Sequence, residues 1–143
     1  MRIIGIDPGG TTGITVLAKD VRGNWVVADM RESQSLSALS QLLEMMGTNN
    51  RIETYFVMES AVPHGKITKG KMLQMFAIGA VMSAVPYRLE AVTPEERSRI
   101  KKVPKRFKGV SDHIKDAYRT AVAYGLKKGL MSQDDADNLS SAN

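Results

Sequence analysis

The sequence contains no cysteine, which excludes disulfide bonds and thiolate metal sites. It also has no apolar run of the ~18–20 residues that a membrane span needs. The N-terminus passes directly into an apolar, strand-like segment without a basic region or a cleavage site, so we expect no secretion signal. Together these absences suit a cytoplasmic protein that does not act in a membrane.

The residues that are present predict a globular and basic protein. The chain has 143 residues, of which 43% are hydrophobic, so we expect one domain with one core, spanning residues 1–143. The net charge is +5, and seven Lys or Arg residues with no acid lie between Arg97 and Lys108. Such a segment is typical of nucleic-acid binders, although a solvated loop has the same composition.

Hydrophobic periodicity predicts an α/β protein. Three consecutive strands joined by short turns indicate an antiparallel meander, after which helices alternate with two more strands. The predicted strands are 2–7, 12–19, 25–30, 53–59 and 87–92. The predicted helices are 36–46, 69–84, a turn opened by Pro94, a helix capped by Ser111 and a last helix capped by Ser132. This order favours a mixed sheet with helices on its faces.

The predicted helix 69–84 is apolar nearly all round. A helix of this kind has both faces covered, and we expect the sheet on one face and a second subunit on the other. The helix is therefore the candidate homodimer contact. Complete burial inside one subunit is the alternative.

Acidic residues stand at the ends of two predicted strands and in the first turn of the last helix. They are Asp7, Glu59 and the group Asp134, Asp135 and Asp137. Carboxylates at the ends of central strands are costly to bury unless they are paired, and a hard cation such as Mg²⁺ would compensate them. Asp134 and Asp137 share a helix face, so both can bind one ion. Two ions about 3.5–4 Å apart can activate a water and stabilise the leaving oxygen of a phosphodiester.

Each of these acids also has a purely structural interpretation. Asp7 precedes a glycine turn and suits ordinary turn chemistry. Acids in a first helical turn stabilise the helix dipole. Ser132 and Asp135 match the S-x-x-D capping box, which favours a capping role for Asp135 over metal binding.

Three segments, IGIDPGGTTG, VMES and DDADNL, resemble the RuvC-type Holliday-junction resolvases of the RNase H-like nuclease superfamily. The resemblance implies an RNase H-like α/β fold, in which a five-stranded mixed sheet combines the antiparallel meander 1-2-3 with parallel strands, flanked by helices. It also implies a Mg²⁺-dependent endonuclease, with Mn²⁺ as a possible substitute. Such an enzyme acts as a homodimer and nicks two strands of a four-way DNA junction symmetrically.

The resemblance also implies roles for particular residues. Asp7, Glu59, Asp134 and Asp137 would be the four metal-binding, catalytic carboxylates, holding two ions. His113, at the start of the penultimate helix, is a candidate proton donor or phosphate contact, although a lone exposed histidine is more often incidental. The candidate DNA-binding residues are Lys66, Lys69, Lys71, Lys101, Lys102, Lys105, Arg106, Lys108 and Lys115.

Three other functions stay open from the sequence. The segment DPGGTTG also resembles the first phosphate loop of actin-like ATPases and sugar kinases, which bind Mg-ATP between two such domains. A nuclease of the same fold that acts on flaps, forks or RNA–DNA hybrids would keep the same acids. A non-catalytic DNA-binding relative would keep the basic surface but would not need all four acids. The short, resolvase-like chain further suggests a bacterial or phage-infected host cell.

Overall fold

A computed structural model of the chain describes residues 1–47, 52–60, 66–85 and 89–142. In these residues five strands form one sheet: β1 (Arg2–Asp7), β2 (Thr12–Lys19), β3 (Trp25–Ser33), β4 (Thr54–Glu59) and β5 (Leu89–Val92). The helices are α1 (Leu36–Gly47), α2 (Lys69–Ala84), α3 (Pro94–Ser98), α4 (Asp112–Lys127) and α5 (Gln133–Ser141), with a 3₁₀ turn at Lys105–Phe107. The predicted elements are confirmed, except that residues 87 and 88 of the last predicted strand lie outside the described residues.

The sheet is mixed, with the strand order β3-β2-β1-β4-β5. Strands β1, β2 and β3 pair antiparallel, whereas β4 runs parallel to β1 and β5 runs parallel to β4. The predicted meander with added parallel strands is therefore confirmed. Because Ile6 is in register with Met58, the next residues, Asp7 and Glu59, end neighbouring strands at the same edge of the sheet.

Alternation along β1 assigns its side chains to two layers. Ile4 and Ile6 belong to the core beneath α1 and α2, whereas Ile3 belongs to the core beneath α4. Gly5 faces α4 as well, since a Cβ atom there would meet Ala117. The same alternation directs Asp7 to the α4 face of the sheet.

Helix α4 lies very close to the two central strands β1 and β2. A Cβ atom at Gly5 would stand 1.9 Å from the carbonyl oxygen of Ala117, and one at Gly13 would stand 2.2 Å from that of His113. Further along, Gly125 lies against Ile3. Helix α4 therefore begins beside the Asp7 end of β1 and runs towards the Arg2 end of that strand.

Helix α2 is only partly covered. Ala77 and Val81 are its buried residues, and it packs against α1. Five large apolar side chains of the helix stay exposed: Met72, Leu73, Met75, Phe76 and Met82. Complete burial of this helix inside one subunit is therefore not what the structure shows. Among the described residues, no helix combines the length and the apolar character that a membrane span requires.

The glycine at position 5 provides a direct test of the close approach of α4. We expect Gly5→Ala to destabilise the fold by about 3 kcal/mol, because the new methyl group would collide with backbone rather than with a flexible side chain. Gly79→Ala on α2 is the matched control, since a Cβ atom there meets nothing within 4 Å. The control should gain about 0.5–1 kcal/mol from a better helix propensity. Urea unfolding of both variants measures the difference, and equal stabilities would contradict the packing described.

Candidate active site

Asp7 and His113 form the first contact of the candidate site. Nδ1 of His113 lies 3.0 Å from Oδ2 of Asp7. Two features of β2 hold the start of α4 in this position. Gly13 has no side chain, so the backbone of α4 at His113 can lie directly against it. Thr15 Oγ1 also donates a buried hydrogen bond of 3.0 Å to the carbonyl of Ile114. The histidine therefore reaches Asp7 because two helix–strand contacts place it there.

The Asp7 carboxyl group lies in an environment that opposes its ionisation. Burial raises its pKa above the usual value of 3.8, and the hydrogen bond to His113 partly offsets that effect. The negative charge of Asp116 raises the pKa of Asp7 further, while Arg97 lowers it. Asp116 and Arg97 are thus close enough to Asp7 to belong to the same site.

Arg97 connects two further carboxylates of the site. Its Nε atom contacts Oε2 of Glu59, and its Nη1 atom lies 3.1 Å from Oδ2 of Asp116. Asp116 also accepts a hydrogen bond of 2.8 Å from Nη1 of Arg119. The structure thereby groups Asp7 of β1, Glu59 of β4 and Asp116 of α4. We refer to these three residues as the acidic cluster.

The acidic cluster and His113 provide the oxygen and imidazole donors that suit a divalent cation such as Mg²⁺ or Mn²⁺. Oε2 of Glu59 is buried and makes no hydrogen bond, although Arg97 contacts it. An oxygen of this kind is a reasonable cation ligand, so the residues fit such an ion. In the described parts of the chain, no three His, Asp or Glu side chains stand close enough together to form a ready-made metal site.

Comparisons with solved structures identify the fold around this site. The chain superimposes on Thermus thermophilus RuvC in complex with a Holliday junction substrate with a TM-score of 0.71, at 16% identity over 91% of this chain and 96% of RuvC. A second structure of Thermus thermophilus RuvC gives a TM-score of 0.66 at 16% identity, covering 90% of this chain and 97% of that one. The chain has the RuvC-type, RNase H-like fold.

A viral resolvase is a more distant match. The complex of Fowlpox virus resolvase with Holliday junction DNA gives a TM-score of 0.51 at 10% identity, covering 92% of this chain and all of that one. No family model matches the sequence, and no curated protein matches it significantly. The RuvC-type fold is thus visible in the backbone at identities of 10–16%.

Within the RuvC-type fold, Asp134 and Asp137 do not lie beside Asp7 and Glu59. Helix α4 begins beside Asp7, and its 16 residues extend over about 24 Å. Helix α5 starts beyond the far end of α4 and returns along it, as the 2.7 Å contact between Tyr118 Oη and Ser140 Oγ shows. The four carboxylates Asp7, Glu59, Asp134 and Asp137 therefore do not converge on one point, contrary to the expectation from the sequence.

The side chains of α5 are engaged locally. Asp135 forms the predicted capping box with Ser132, whose backbone N–H donates to the Asp135 carboxylate at 2.9 Å and holds its pKa below the usual range. Asp137 accepts a hydrogen bond of 3.0 Å from Gln133, and Asp134 is exposed. Two of the three acids of α5, Asp135 and Asp137, are thus engaged by residues of α5 and its cap.

Sequence reasoning overlooked Asp116. The segment Asp112–Asp116 reads DHIKD, which puts His113 and Asp116 three residues apart on one helix face. This spacing equals that of Asp134 and Asp137, and both helices begin with a serine cap. The useful signal was that α4 carries the stronger apolar pattern and must therefore pack on the central strands.

The predicted DNA-binding residues fall into two groups. The first group is the segment between α3 and α4, whose exposed lysines are Lys101, Lys102, Lys105 and Lys108. The second group lies before and at the start of α2, where Lys66 and Lys69 are exposed and Lys71 is half-buried. Arg106 differs, since its guanidinium donates to the carbonyl of Val27 at 3.2 Å and helps to hold the segment on β3. Lys115 lies 3.6 Å from Asp112 on α4.

The raised pKa of Asp7 predicts how pH affects stability. An acid whose pKa is higher in the folded state opposes folding as it ionises, so its unfavourable contribution grows as pH rises past 3.8 and through the folded pKa. Relative to the unmodified protein, Asp7→Asn should therefore gain stability as the pH rises above 3.8, as measured by urea unfolding. Asp112→Asn is the control, because it removes a carboxylate that is exposed at the start of α4 rather than buried. A relative loss of stability in Asp7→Asn over this range would contradict the burial argument.

Proposed function

We propose that the protein is a structure-selective, metal-dependent endonuclease that resolves four-way DNA junctions by paired, symmetric nicks. The observation that carries this proposal is the acidic cluster, gathered beside His113 at one edge of the sheet of a RuvC-type fold. The structural neighbours, which include RuvC and Fowlpox virus resolvase in complexes with Holliday junctions, support a junction-resolving nuclease.

Asp7, Glu59 and Asp116 would hold the divalent cations, Mg²⁺ or Mn²⁺, with two ions per site as the working stoichiometry. When bound, such ions supply Lewis-acid activation of a water nucleophile and stabilisation of the departing 3′ oxygen. Asp7 also fixes one ring nitrogen of His113, which leaves the other nitrogen to exchange a proton or to contact a phosphate. Asp116 replaces Asp134 and Asp137 in this proposal because it shares the site with Asp7 and Glu59.

The exposed lysines would bind the DNA backbone. The basic segment begins just after α3, which carries Arg97, and ends just before α4, which carries His113, so both of its ends are fixed at the site. Contacts between lysines and phosphates position a duplex without reading its sequence. We therefore assign Lys101, Lys102, Lys105 and Lys108 to backbone binding, and Arg106 to holding the segment on β3.

Paired nicking would require two copies of the chain. Met72, Met75, Phe76 and Met82 recur at helical spacing on one exposed side of α2, opposite its buried residues Ala77 and Val81. We propose that this stripe is the homodimer contact. A cytoplasmic location, in a bacterium or a phage-infected cell, stays a prediction.

Substitution of the acids tests the assignment of the site. Asp116→Asn, like Asp7→Asn and Glu59→Gln, should reduce cleavage of a four-way junction in Mg²⁺ by about 100-fold or more, because each removes a ligand charge. Junction binding, measured by gel shift without Mg²⁺, should be retained. Asp137→Asn and Asp134→Asn are the matched controls and should cleave within about twofold of the unmodified protein.

The substrate panel makes this experiment decisive. The same proteins are compared on a four-way junction, a flap, a fork and a linear duplex, with and without Mg²⁺. Faster cleavage of the flap or fork than of the junction would contradict junction resolution but leave the nuclease intact. Full activity in Asp116→Asn, together with loss in Asp137→Asn, would move the active site to α5.

The homodimer is tested by one charge on the exposed stripe. We expect Phe76→Glu to give a monomer in sedimentation at micromolar concentration, because 55% of this side chain is exposed and a charge there would disfavour apolar contact. Val21→Glu is the control, since Val21 is an exposed apolar residue in the turn between β2 and β3. A monomeric unmodified protein, or a Phe76→Glu variant that still forms dimers, would contradict this interface.

A further inference from the structure

Arg97 occupies the middle of the proposed metal site. Its guanidinium contacts Oε2 of Glu59 and lies 3.1 Å from Oδ2 of Asp116, and these two carboxylates come from different elements, β4 and α4. Only 27% of the Arg97 side chain is exposed. A fixed positive charge therefore stands where the fold gathers three negative charges.

The backbone at Arg97 is held independently of these ion pairs. Helix α3 begins with a capping box in which Glu96 N–H donates to Thr93 Oγ1 at 3.2 Å and Thr93 N–H donates to Glu96 Oε1 at 3.0 Å. Lys127 at the end of α4 contacts the same Glu96 at 3.2 Å. Arg97 N–H then donates to the carbonyl of Thr93 at 3.1 Å. The arginine thus projects from a short, well-anchored helix.

The ends of β4 and β5 are also tied together near Arg97. Ser60 N–H donates to the carbonyl of Val92 at 2.8 Å, and the Ser60 hydroxyl reaches the same oxygen at 3.2 Å. Because Glu59 precedes Ser60 and α3 follows Val92 closely, this link fixes the distance between Glu59 and Arg97. The ion pair between Arg97 and Glu59 is therefore supported by the backbone link between the ends of β4 and β5.

Arginine and a divalent cation require the same oxygens. A guanidinium engaged with Glu59 Oε2 and Asp116 Oδ2 uses lone pairs that a cation would need as ligands. Without either cation, the negative charges of the acidic cluster would repel one another, as Asp116 already raises the pKa of Asp7. One positive group must therefore compensate them at any time.

We propose that Arg97 is an internal counter-cation that neutralises Glu59 and Asp116 until a divalent cation displaces it. This inference rests on the metal site of the proposed function. It makes Arg97 a positioning residue that preserves the geometry of the acidic cluster in the metal-free protein. It also sets the metal affinity, because the ion binds only to the population in which Arg97 has withdrawn.

Two arginine variants separate this role from a general effect of charge. Arg119 contacts the same Asp116 at 2.8 Å, and 28% of its side chain is exposed, so it matches Arg97 in charge and burial. It differs in lacking the contact with Glu59. Arg97→Met and Arg119→Met therefore remove one positive charge each, but only the first opens the site.

Calorimetric titration with Mn²⁺, without DNA, gives the readout. We expect Arg97→Met to bind Mn²⁺ about 10-fold more tightly than the unmodified protein, and Arg119→Met to bind within about twofold of it. Metal-free Arg97→Met should also melt at a lower temperature, and Mn²⁺ should raise its melting temperature more than that of the unmodified protein.

Unchanged or weaker Mn²⁺ binding in Arg97→Met would overturn the inference, and so would an equal gain in both variants. Asp7→Asn separates this failure from a failure of the proposed function. If the unmodified protein binds Mn²⁺ and Asp7→Asn does not, the metal site stands and only the role of Arg97 is at issue. If neither the unmodified protein nor Arg97→Met binds Mn²⁺, both proposals fail.

Discussion

The close approach of α4 to the central strands is the constraint on which the site depends. Gly5 and Gly13 leave no room for a side chain, so the backbone of α4 rests directly on β1 and β2. This contact sets the height of the helix above the sheet and the point where it begins. His113 therefore stands at Asp7, and Asp116 follows on the same face of the helix. A helix held a few ångströms further away would leave the strand carboxylates without these partners.

Charge compensation is the second feature of the site. The acidic cluster lies within a protein whose overall charge is positive, and the nearest basic groups belong to α3 and α4. Burial raises the pKa of Asp7, while Arg97 and His113 counteract that cost. The same arrangement contains carboxylate oxygens, which are the donors that a divalent cation prefers. The exposed lysines between α3 and α4 then place a positive surface beside a negative centre, which is the arrangement that the proposed nuclease would need.

Much of the fold was predictable because local patterns and packing agree. The Ile-rich buried run of β1, the serine caps of α4 and α5, and the glycine turn after Asp7 are each specified by a few neighbouring residues. Asp7 and Glu59 were recognisable as site candidates because each ends a buried strand. Asp116 was not, since it lies inside a helix and has no distinctive neighbours in sequence.

The sequence by itself determined the elements, their order and the two strand-end carboxylates, because these depend on hydrophobic periodicity and on capping within a few residues. Only the tertiary structure decided which helix completes the site. Helices α4 and α5 both begin with a serine cap and both carry polar residues three apart, so these N-terminal patterns do not distinguish them. The choice comes from long-range packing, in which α4 contacts β1 and β2 while α5 returns along α4 towards the edge strand β3. Arg97 joined the site for the same reason, since its partners are 38 and 19 residues away in the chain and meet it only in the folded protein.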